Sequence, residues 1–122
     1  MIKNNQKVIF FKSIPNIQKY MSQVDYVVSM CTTDSFNRIA AEGMVEKKVV
    51  LVKKNTAPEE FIKNYYNGFI CKNISEYKYF IKKVENNKNL KKFICTNAKK
   101  TIQSKFTSIQ LKNVLKKLIH GV

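Results

Sequence analysis

The chain has 122 residues, a net charge of +15, six Tyr and eight Phe, and 44% hydrophobic residues. This is the length of one domain that can bury an ordinary hydrophobic core without disulfides. No apolar run approaches the roughly 20 residues of a membrane-spanning helix, and the first residues lack the apolar core of a signal peptide. We therefore expect a cytoplasmic protein. Three Cys without CxxC spacing and a single His exclude the common zinc sites.

The strong positive charge raises the question of an anionic partner. Lys supplies 22 of the 23 basic residues, whereas readout of bases and phosphates favours Arg, so this composition disfavours a nucleic-acid partner. The joint abundance of Lys, Asn, Ile, Tyr and Phe is also typical of proteins encoded by A/T-rich genomes, a cause of the high Lys content that is unrelated to function. Residues 61–122 hold 14 Lys and two Glu. Such a basic face suits an anionic membrane surface, with the protein peripheral to it, and equally suits plain solubility.

Four short apolar runs read as strands, and helical patterns separate them. Their continuous apolar character is typical of parallel strands that are covered on both faces. The predicted strands are Lys7–Phe11, Asp25–Ser29, Lys48–Val52 and Gly68–Cys71. This alternation predicts an α/β fold with a parallel sheet and right-handed crossovers.

Three helical patterns lie between the predicted strands. One opens at Pro15, and one runs from about Ser35 to Met44. The third begins at the capping-box spacing Thr56-Ala57-Pro58-Glu59 and continues to about Tyr65. Two or three further helices close the chain, from the cap signal at Asn73, from near Leu90 to about Ser104, and from Thr107.

The segment Asp34–Met44 is the candidate site. It follows the second predicted strand, at the sheet edge where α/β folds bind ligands and helix N-termini offer amides to phosphates. Asp34 and Glu42 are eight residues apart, which in a helix places them on roughly one side and about 12 Å apart. Such a pair cannot share a proton, but it can bind two hydroxyl-bearing parts of one ligand, such as the sugar and the ribose of a nucleotide-sugar. The apolar face of this helix is predicted to hold Phe36, Ile39, Ala40 and Met44.

This segment resembles the Glu-x7-Glu motif of retaining GT-B glycosyltransferases, the glycosyl transferases group 1 family. Asp34 stands in the first acidic place, and Phe36, Glu42 and Met44 match the family pattern directly. The resemblance runs in order from about Val8 to Leu118. Its other pieces are Asp25–Ser29, Lys48–Val50, Glu60–Ile62, Asn67–Ile70, Asn97-Ala98 and Lys105–Thr107.

The resemblance implies a Rossmann-like three-layer domain that binds a nucleotide-sugar and transfers the sugar to an acceptor, without a metal or another cofactor. Asp34 would be the catalytic carboxylate that contacts the donor-sugar hydroxyls, and Glu42 would bind the ribose hydroxyls. Backbone amides near Phe36 and Asn37 would face the sugar and the diphosphate. The chain also departs from the family, because Asp is shorter than Glu and because Ser35 and Asn37 replace glycines.

Parts of the family's fold have no counterpart in this chain. The resemblance begins at the third strand of the family's donor domain. The first two strands, which bear a glycine loop and the Arg and Lys that neutralise the diphosphate, have no counterpart, and neither has the acceptor domain. We therefore expect residues 1–122 to be one partial donor-binding domain that is incomplete for catalysis alone. Either a second chain supplies the missing strands, or Lys7–Phe11 pairs beside Asp25–Ser29. The second arrangement gives a sheet of about four strands whose open edge favours a homodimer.

Simpler roles stand beside each assignment. Asp34 is also a suitable helix N-cap, worth about 1 kcal/mol, and Glu42 suits a solvated helix surface. Phe36 fits core packing, and Arg38 fits a surface position. Two alternative functions remain open, a non-catalytic degenerate glycosyltransferase-like module and a basic nucleic-acid-binding domain.

Overall fold

The computed structural model describes residues 17–30 and 38–105. The elements are α1 Ile17–Met21, β1 Tyr26–Val28, α2 Arg38–Val45, β2 Val49–Lys53, a 3₁₀ helix Ala57–Glu60, β3 Phe69–Cys71, α3 Ile74–Glu85 and α4 Lys88–Lys105. The predicted alternation of strands and helices is confirmed over these residues. The predicted strand Lys7–Phe11 and the last predicted helix lie outside the described residues.

The three described strands form a parallel sheet in the order β1-β2-β3. Val27 lies opposite Val50, and Val52 lies opposite Ile70. The side chains of β2 are buried from Val49 through Val52, as expected for a central parallel strand covered on both faces. The predicted parallel α/β fold is confirmed, and a fourth strand stays a prediction.

Two apolar clusters cover the two faces of the sheet. The α2-side cluster contains Val50 and Val52, and the α3-side cluster contains Val49 and Leu51, because alternate residues of a strand point to opposite faces. Helix α4 belongs to both clusters, through Ala98 and Ile102 on the α2 side and Ile94 and Cys95 on the α3 side. The result is a three-layer arrangement with the sheet in the middle.

Helix α2 ends in a turn centred on Lys47. The Lys48 N–H donates to the Gly43 carbonyl (2.8 Å), and the Lys47 N–H donates to the Met44 carbonyl (3.2 Å). This pair of bonds is the Schellman motif. Its left-handed position is taken by Lys47, with φ 60°, where a glycine is usual. The turn directs the chain from α2 straight into β2.

Helix α3 begins as the sequence predicts. The Asn73 Oδ1 accepts a hydrogen bond from the Glu76 N–H (3.0 Å), and the Glu76 carboxylate accepts one from the Lys72 N–H (2.8 Å). These bonds satisfy two amides at the entry to the helix. The cap predicted at Asn73 is therefore confirmed.

Three expectations about local structure are wrong. The helix predicted from Thr56 to about Tyr65 is a single 3₁₀ turn, Ala57–Glu60. The Thr56 hydroxyl donates back to the Lys53 carbonyl (2.6 Å) instead of capping the turn, and Tyr65 has a φ of 67°, which an α-helix cannot include. Ile39, expected on the apolar face of its helix, is 47% exposed, and the apolar residue Phe93 of α4 is 51% exposed.

Candidate functional site

The carboxyl end of β1 is fixed by the neighbouring strand β2 and by helix α3. Beyond the strand, the Ser29 N–H donates to the Leu51 carbonyl (2.9 Å). The Ser29 carbonyl in turn accepts a hydrogen bond from the Tyr77 hydroxyl of α3 (2.7 Å). Burial raises the pKa of Tyr77 to about 12, so its hydroxyl stays protonated as the donor. The chain therefore enters the segment after β1 from a fixed position.

That segment, residues 31–37, contains three of the four predicted site residues. Asp34, Phe36 and Asn37 lie outside the described residues, and their assigned roles stay predictions. The same holds for the 12 Å separation expected between Asp34 and Glu42 (about two helical turns). Only Glu42 can be placed against the described fold.

Glu42 lies on α2 and is buried, with 3% of its surface exposed. Its Oε1 atom is buried without a hydrogen-bond partner. Burial raises the pKa of Glu42, the carboxylate of Glu46 raises it further, and the guanidinium of Arg38 lowers it. A solvated helix position is therefore wrong for Glu42. Buried carboxylate oxygens normally have partners, so this acceptor calls for an explanation.

Gly43 sets the depth at which α2 lies on the sheet. A Cβ atom at this position would stand 2.9 Å from the Cγ2 atoms of both Val27 and Val50. Only a residue without a side chain permits this approach of the helix backbone to the two strands. The adjacent Glu42 is thereby carried into the buried layer.

Another polar junction runs from Lys53 to Glu60, between β2 and the 3₁₀ helix. The carboxylate of Glu59 accepts a hydrogen bond from the Asn55 N–H, and Asn55 has a φ of 65°. The Lys53 ammonium donates to the Lys72 carbonyl (3.1 Å) beyond β3. Because this junction begins only a four-residue 3₁₀ helix, it does not offer the N-terminus of an α-helix to a phosphate.

Asn67 holds the connection that leads into β3. Its side-chain amide is 1% exposed. Its Nδ2 donates to the Phe61 carbonyl and to the Thr101 hydroxyl oxygen (both 2.9 Å), and its Oδ1 accepts from the Lys63 N–H (2.7 Å). The loop between the 3₁₀ helix and β3 is thus fastened to α4.

The roles of Asn67 and Tyr77 cannot be inferred from the sequence. The dipeptide Asn67-Gly68 indicates a turn, and Tyr77 belongs to an apolar stripe, but neither pattern reveals a partner distant in sequence. Their hydrogen bonds reach Thr101 and Ser29 respectively. The sequence also does not reveal the burial of Glu42, because the charged neighbours Arg38 on α2 and Glu46 just after it are exposed.

Comparison with known proteins gives a consistent family and fold. The sequence profile of the family Glycosyl transferases group 1 matches residues 1–101. The chain has no significant match among curated protein sequences. The chain is similar in structure to Alr3699/HepE from Anabaena in complex with UDP-glucose, with a TM-score of 0.71, 22% identity, and coverage of 84% of this chain and 29% of that one. For the same Anabaena protein in complex with UDP and glucose, the TM-score is 0.71 and the identity 20%, with coverage of 87% of this chain and 30% of that one.

A third similar structure is the C-terminal domain of a glycosyl transferase group 1 family protein, LpcC, from Francisella tularensis. The TM-score is 0.65 at 22% identity, over 80% of this chain and 51% of that one. These likenesses show the fold. The chain spans less than a third of the length of the Anabaena protein. No described helix is long and apolar enough to cross a membrane.

Proposed function

Because the chain belongs to the Glycosyl transferases group 1 family, we propose that it forms the nucleotide-sugar-binding side of a glycosyltransferase site. In this proposal Glu42 accepts hydrogen bonds from the ribose hydroxyls of the donor. The observation that carries it is the buried Oε1 of Glu42 without a partner. A buried acceptor left unpaired costs about 1–3 kcal/mol, and hydroxyl donors of a bound nucleoside would remove that cost.

Complexes of a similar protein support the ligand class. The Anabaena protein was solved with UDP-glucose and with UDP and glucose. The candidate segment Asp34–Met44, which follows the end of β1 in the chain, also fits the general rule that α/β folds bind ligands beyond the carboxyl ends of their strands.

The remaining predicted residues take their roles in the same proposal. Asp34 contacts the hydroxyls of the donor sugar and is the catalytic carboxylate. Backbone amides near Phe36 and Asn37 face the sugar and the diphosphate. These residues come five to eight positions after Ser29. Because the hydrogen bonds of Ser29 fix the end of β1, the segment that contains them begins at a defined position.

The proposed reaction transfers the sugar to an acceptor hydroxyl with retained configuration and without a metal. Stabilisation of the departing diphosphate is the main contribution expected of such a site. We propose that groups outside this chain supply it, on a second chain or on the rest of a longer protein, together with the acceptor domain. The free thiols Cys71 and Cys95 fit a cytoplasmic setting.

Titration with UDP- and GDP-sugars tests the proposal directly. Calorimetry or amide NMR on the whole chain should detect binding of at least one donor. Glu42→Gln should weaken that binding about tenfold or more, because a hydrogen bond to a charged group is worth about 1.5–3 kcal/mol. Glu46→Gln, at the exposed residue just past the end of α2, is the matched control and should bind close to wild type.

Two results would contradict the proposal. One is the absence of binding to every UDP- and GDP-sugar by a chain that circular dichroism shows to be folded. The other is binding that Glu42→Gln leaves unchanged, which would place the nucleoside elsewhere.

A further inference from the structure

A set of exposed aromatic and basic residues lies on the side of the sheet opposite α2. We call it the aromatic–lysine face, and it consists of Tyr65, Tyr66, Tyr79, Phe93, Lys82 and Lys83. Tyr79 and Phe93 are each more than half exposed. Phe93 has no polar atom to offer to water, so its exposure on α4 is unfavourable unless something covers it.

The aromatic rings of this face are anchored to the core beneath them. Tyr65 packs edge-on against Phe69 and Phe80, with ring centroids 5.4 and 5.3 Å apart, and both phenylalanines belong to the α3-side cluster. Tyr79 contacts Phe80 in the same manner at 5.5 Å. The tyrosines are therefore held in place rather than free to fold back onto the surface.

The ammonium group of one lysine lies over two of these rings. The Nζ atom of Lys83 stands 5.7 Å from the centroid of Tyr65 and 5.6 Å from that of Tyr79. Tyr79, Lys82 and Lys83 line an open depression of about 430 Å³, together with Asn86 and Asn87. The face thus combines cations, phenol hydroxyls and apolar ring surface within one shallow feature.

The charge around this face is not balanced by acids. Residues 61–105 contain 11 Lys and two Glu. Within this stretch Lys91 is paired with Asp25, and Glu76 and Glu85 accept hydrogen bonds from the Lys72 N–H and the Tyr26 hydroxyl. The remaining excess of lysine favours a partner that carries negative charge.

We propose that the aromatic–lysine face docks the protein on an anionic lipid bilayer. Lysines near a negatively charged leaflet contribute about 1 kcal/mol each. Tyrosine and phenylalanine rings favour the boundary between headgroups and acyl chains, where one end of a ring is wet and the other apolar. The face has both features, and neither alone gives stable attachment.

A single-stranded nucleic acid fits the same face less well. Bases bind such proteins by stacking on open aromatic faces. Here Lys83 lies over the rings of Tyr65 and Tyr79, and Tyr66 and Phe93 pack edge-on against each other at 5.9 Å. The basic residues of this face are all Lys, whereas recognition of nucleic-acid phosphates and bases favours Arg.

Vesicle co-sedimentation of the whole chain tests the proposal. Vesicles of phosphatidylcholine alone are compared with vesicles containing roughly a third of anionic phosphatidylglycerol. We expect binding to the anionic vesicles only, and weaker binding at higher salt. Lys82→Glu should lower the partition coefficient about fivefold or more, and Phe93→Ser should lower it about tenfold through lost apolar burial.

Two control variants carry the same chemical changes elsewhere. Lys19→Glu and Val24→Ser alter exposed residues on or just after α1, and α1 packs its Met21 into the cluster on the other face of the sheet. Both should bind vesicles nearly as well as wild type. Since Phe93 and Lys82 are exposed, circular dichroism should show that all four variants are folded.

The proposal is overturned if neutral and anionic vesicles bind equally, if neither binds, or if Lys82→Glu is no weaker than Lys19→Glu. Binding to single-stranded RNA that the same variants abolish, without vesicle binding, would assign the face to nucleic acid. The donor site is a separate matter, because Glu42 lies on α2, and Glu42→Gln should leave vesicle binding unchanged.

Discussion

A Cβ atom on Gly43 would lie 2.9 Å from the Cγ2 of Val50, so the backbone of α2 packs directly on the central strand. Glu42, the preceding residue, is buried in the same helix. The glycine therefore sets the depth of α2 on the sheet next to the candidate ligand residue.

Replacing this glycine tests that contact. Gly43→Ala gains about 1 kcal/mol of helix propensity, but forcing a methyl group into a packed core costs about 1–3 kcal/mol. The new methyl group would contact Val27 and Val50, whose side chains have little freedom to rotate away. We therefore expect a net loss of about 1 kcal/mol in the free energy of unfolding, measured with urea. In a Val50→Ala background the same change should cost less. A stabilised Gly43→Ala single variant would show that the packing is looser than described.

The turn after α2 offers a stabilising change. Lys47 has a φ of 60° in the position of the Schellman motif that favours glycine, and this conformation costs a residue with a Cβ about 1 kcal/mol. Lys47→Gly should therefore raise the free energy of unfolding by about that amount. Lys47→Ala keeps the Cβ and should change it little. Equal effects of the two variants would argue that the lost lysine side chain, not the backbone, is responsible.

Glu42 should make stability depend on pH. Burial and the charge of Glu46 raise the pKa of Glu42 in the folded state, so the folded chain holds this proton more tightly than the unfolded chain. The stabilisation that comes from this proton is fully present below the ordinary Glu pKa and is lost as the pH rises through the raised pKa of the folded state. An amide does not titrate, so the Glu42→Gln variant does not lose stability in this way. Its melting temperature relative to wild type should increase from about pH 4 to about pH 7.

Glu46→Gln serves as the control for this titration. It keeps the carboxyl of Glu42 and removes a neighbouring like charge, so its difference from wild type should vary less with pH. A difference between Glu42→Gln and wild type that shrinks with rising pH would contradict the expected direction.

The loop before β3 should depend on one amide. Asn67→Ala removes three side-chain hydrogen bonds, among them the one that the buried Asn67 side chain accepts from the Lys63 N–H. We expect a loss of about 2–4 kcal/mol in the free energy of unfolding. Asn64→Ala removes one exposed bond to the Ile70 N–H and should cost less than about 1 kcal/mol. Similar losses for both variants would mean that the Asn67 network adds little.

The elements that were predicted correctly are those with a local cause. The central strand β2 is an apolar run of Val and Leu residues that ends at Lys53, and α3 combines a cap at Asn73 with an apolar stripe. The α-helix predicted after Thr56 does not form, since the Thr56 side chain caps no amide and Tyr65 has a φ of 67°. Phe93 is exposed, and helical periodicity alone does not show which apolar residue lies beyond the edge of the core.

Less of the candidate site could be predicted from the sequence than of the fold. The spacing within Asp34–Met44 singled out Glu42 as a candidate ligand residue, and its Oε1 atom is buried without a hydrogen-bond partner. The packing of α2 at Gly43 involves Val27 and Val50, which approach the helix from two different strands. The Tyr77–Ser29 bond also joins distant segments. Asp34, Phe36 and Asn37 remain predictions.

The parallel sheet has a consequence for how fast this chain folds. Every strand pair in it joins segments that are far apart in sequence, as with Val28 before the crossover and Val49 after it. No hairpin exists among the described strands to start the sheet locally, so each strand contact requires the closure of a long loop. Folding should accordingly be slower than that of a helical bundle of the same length.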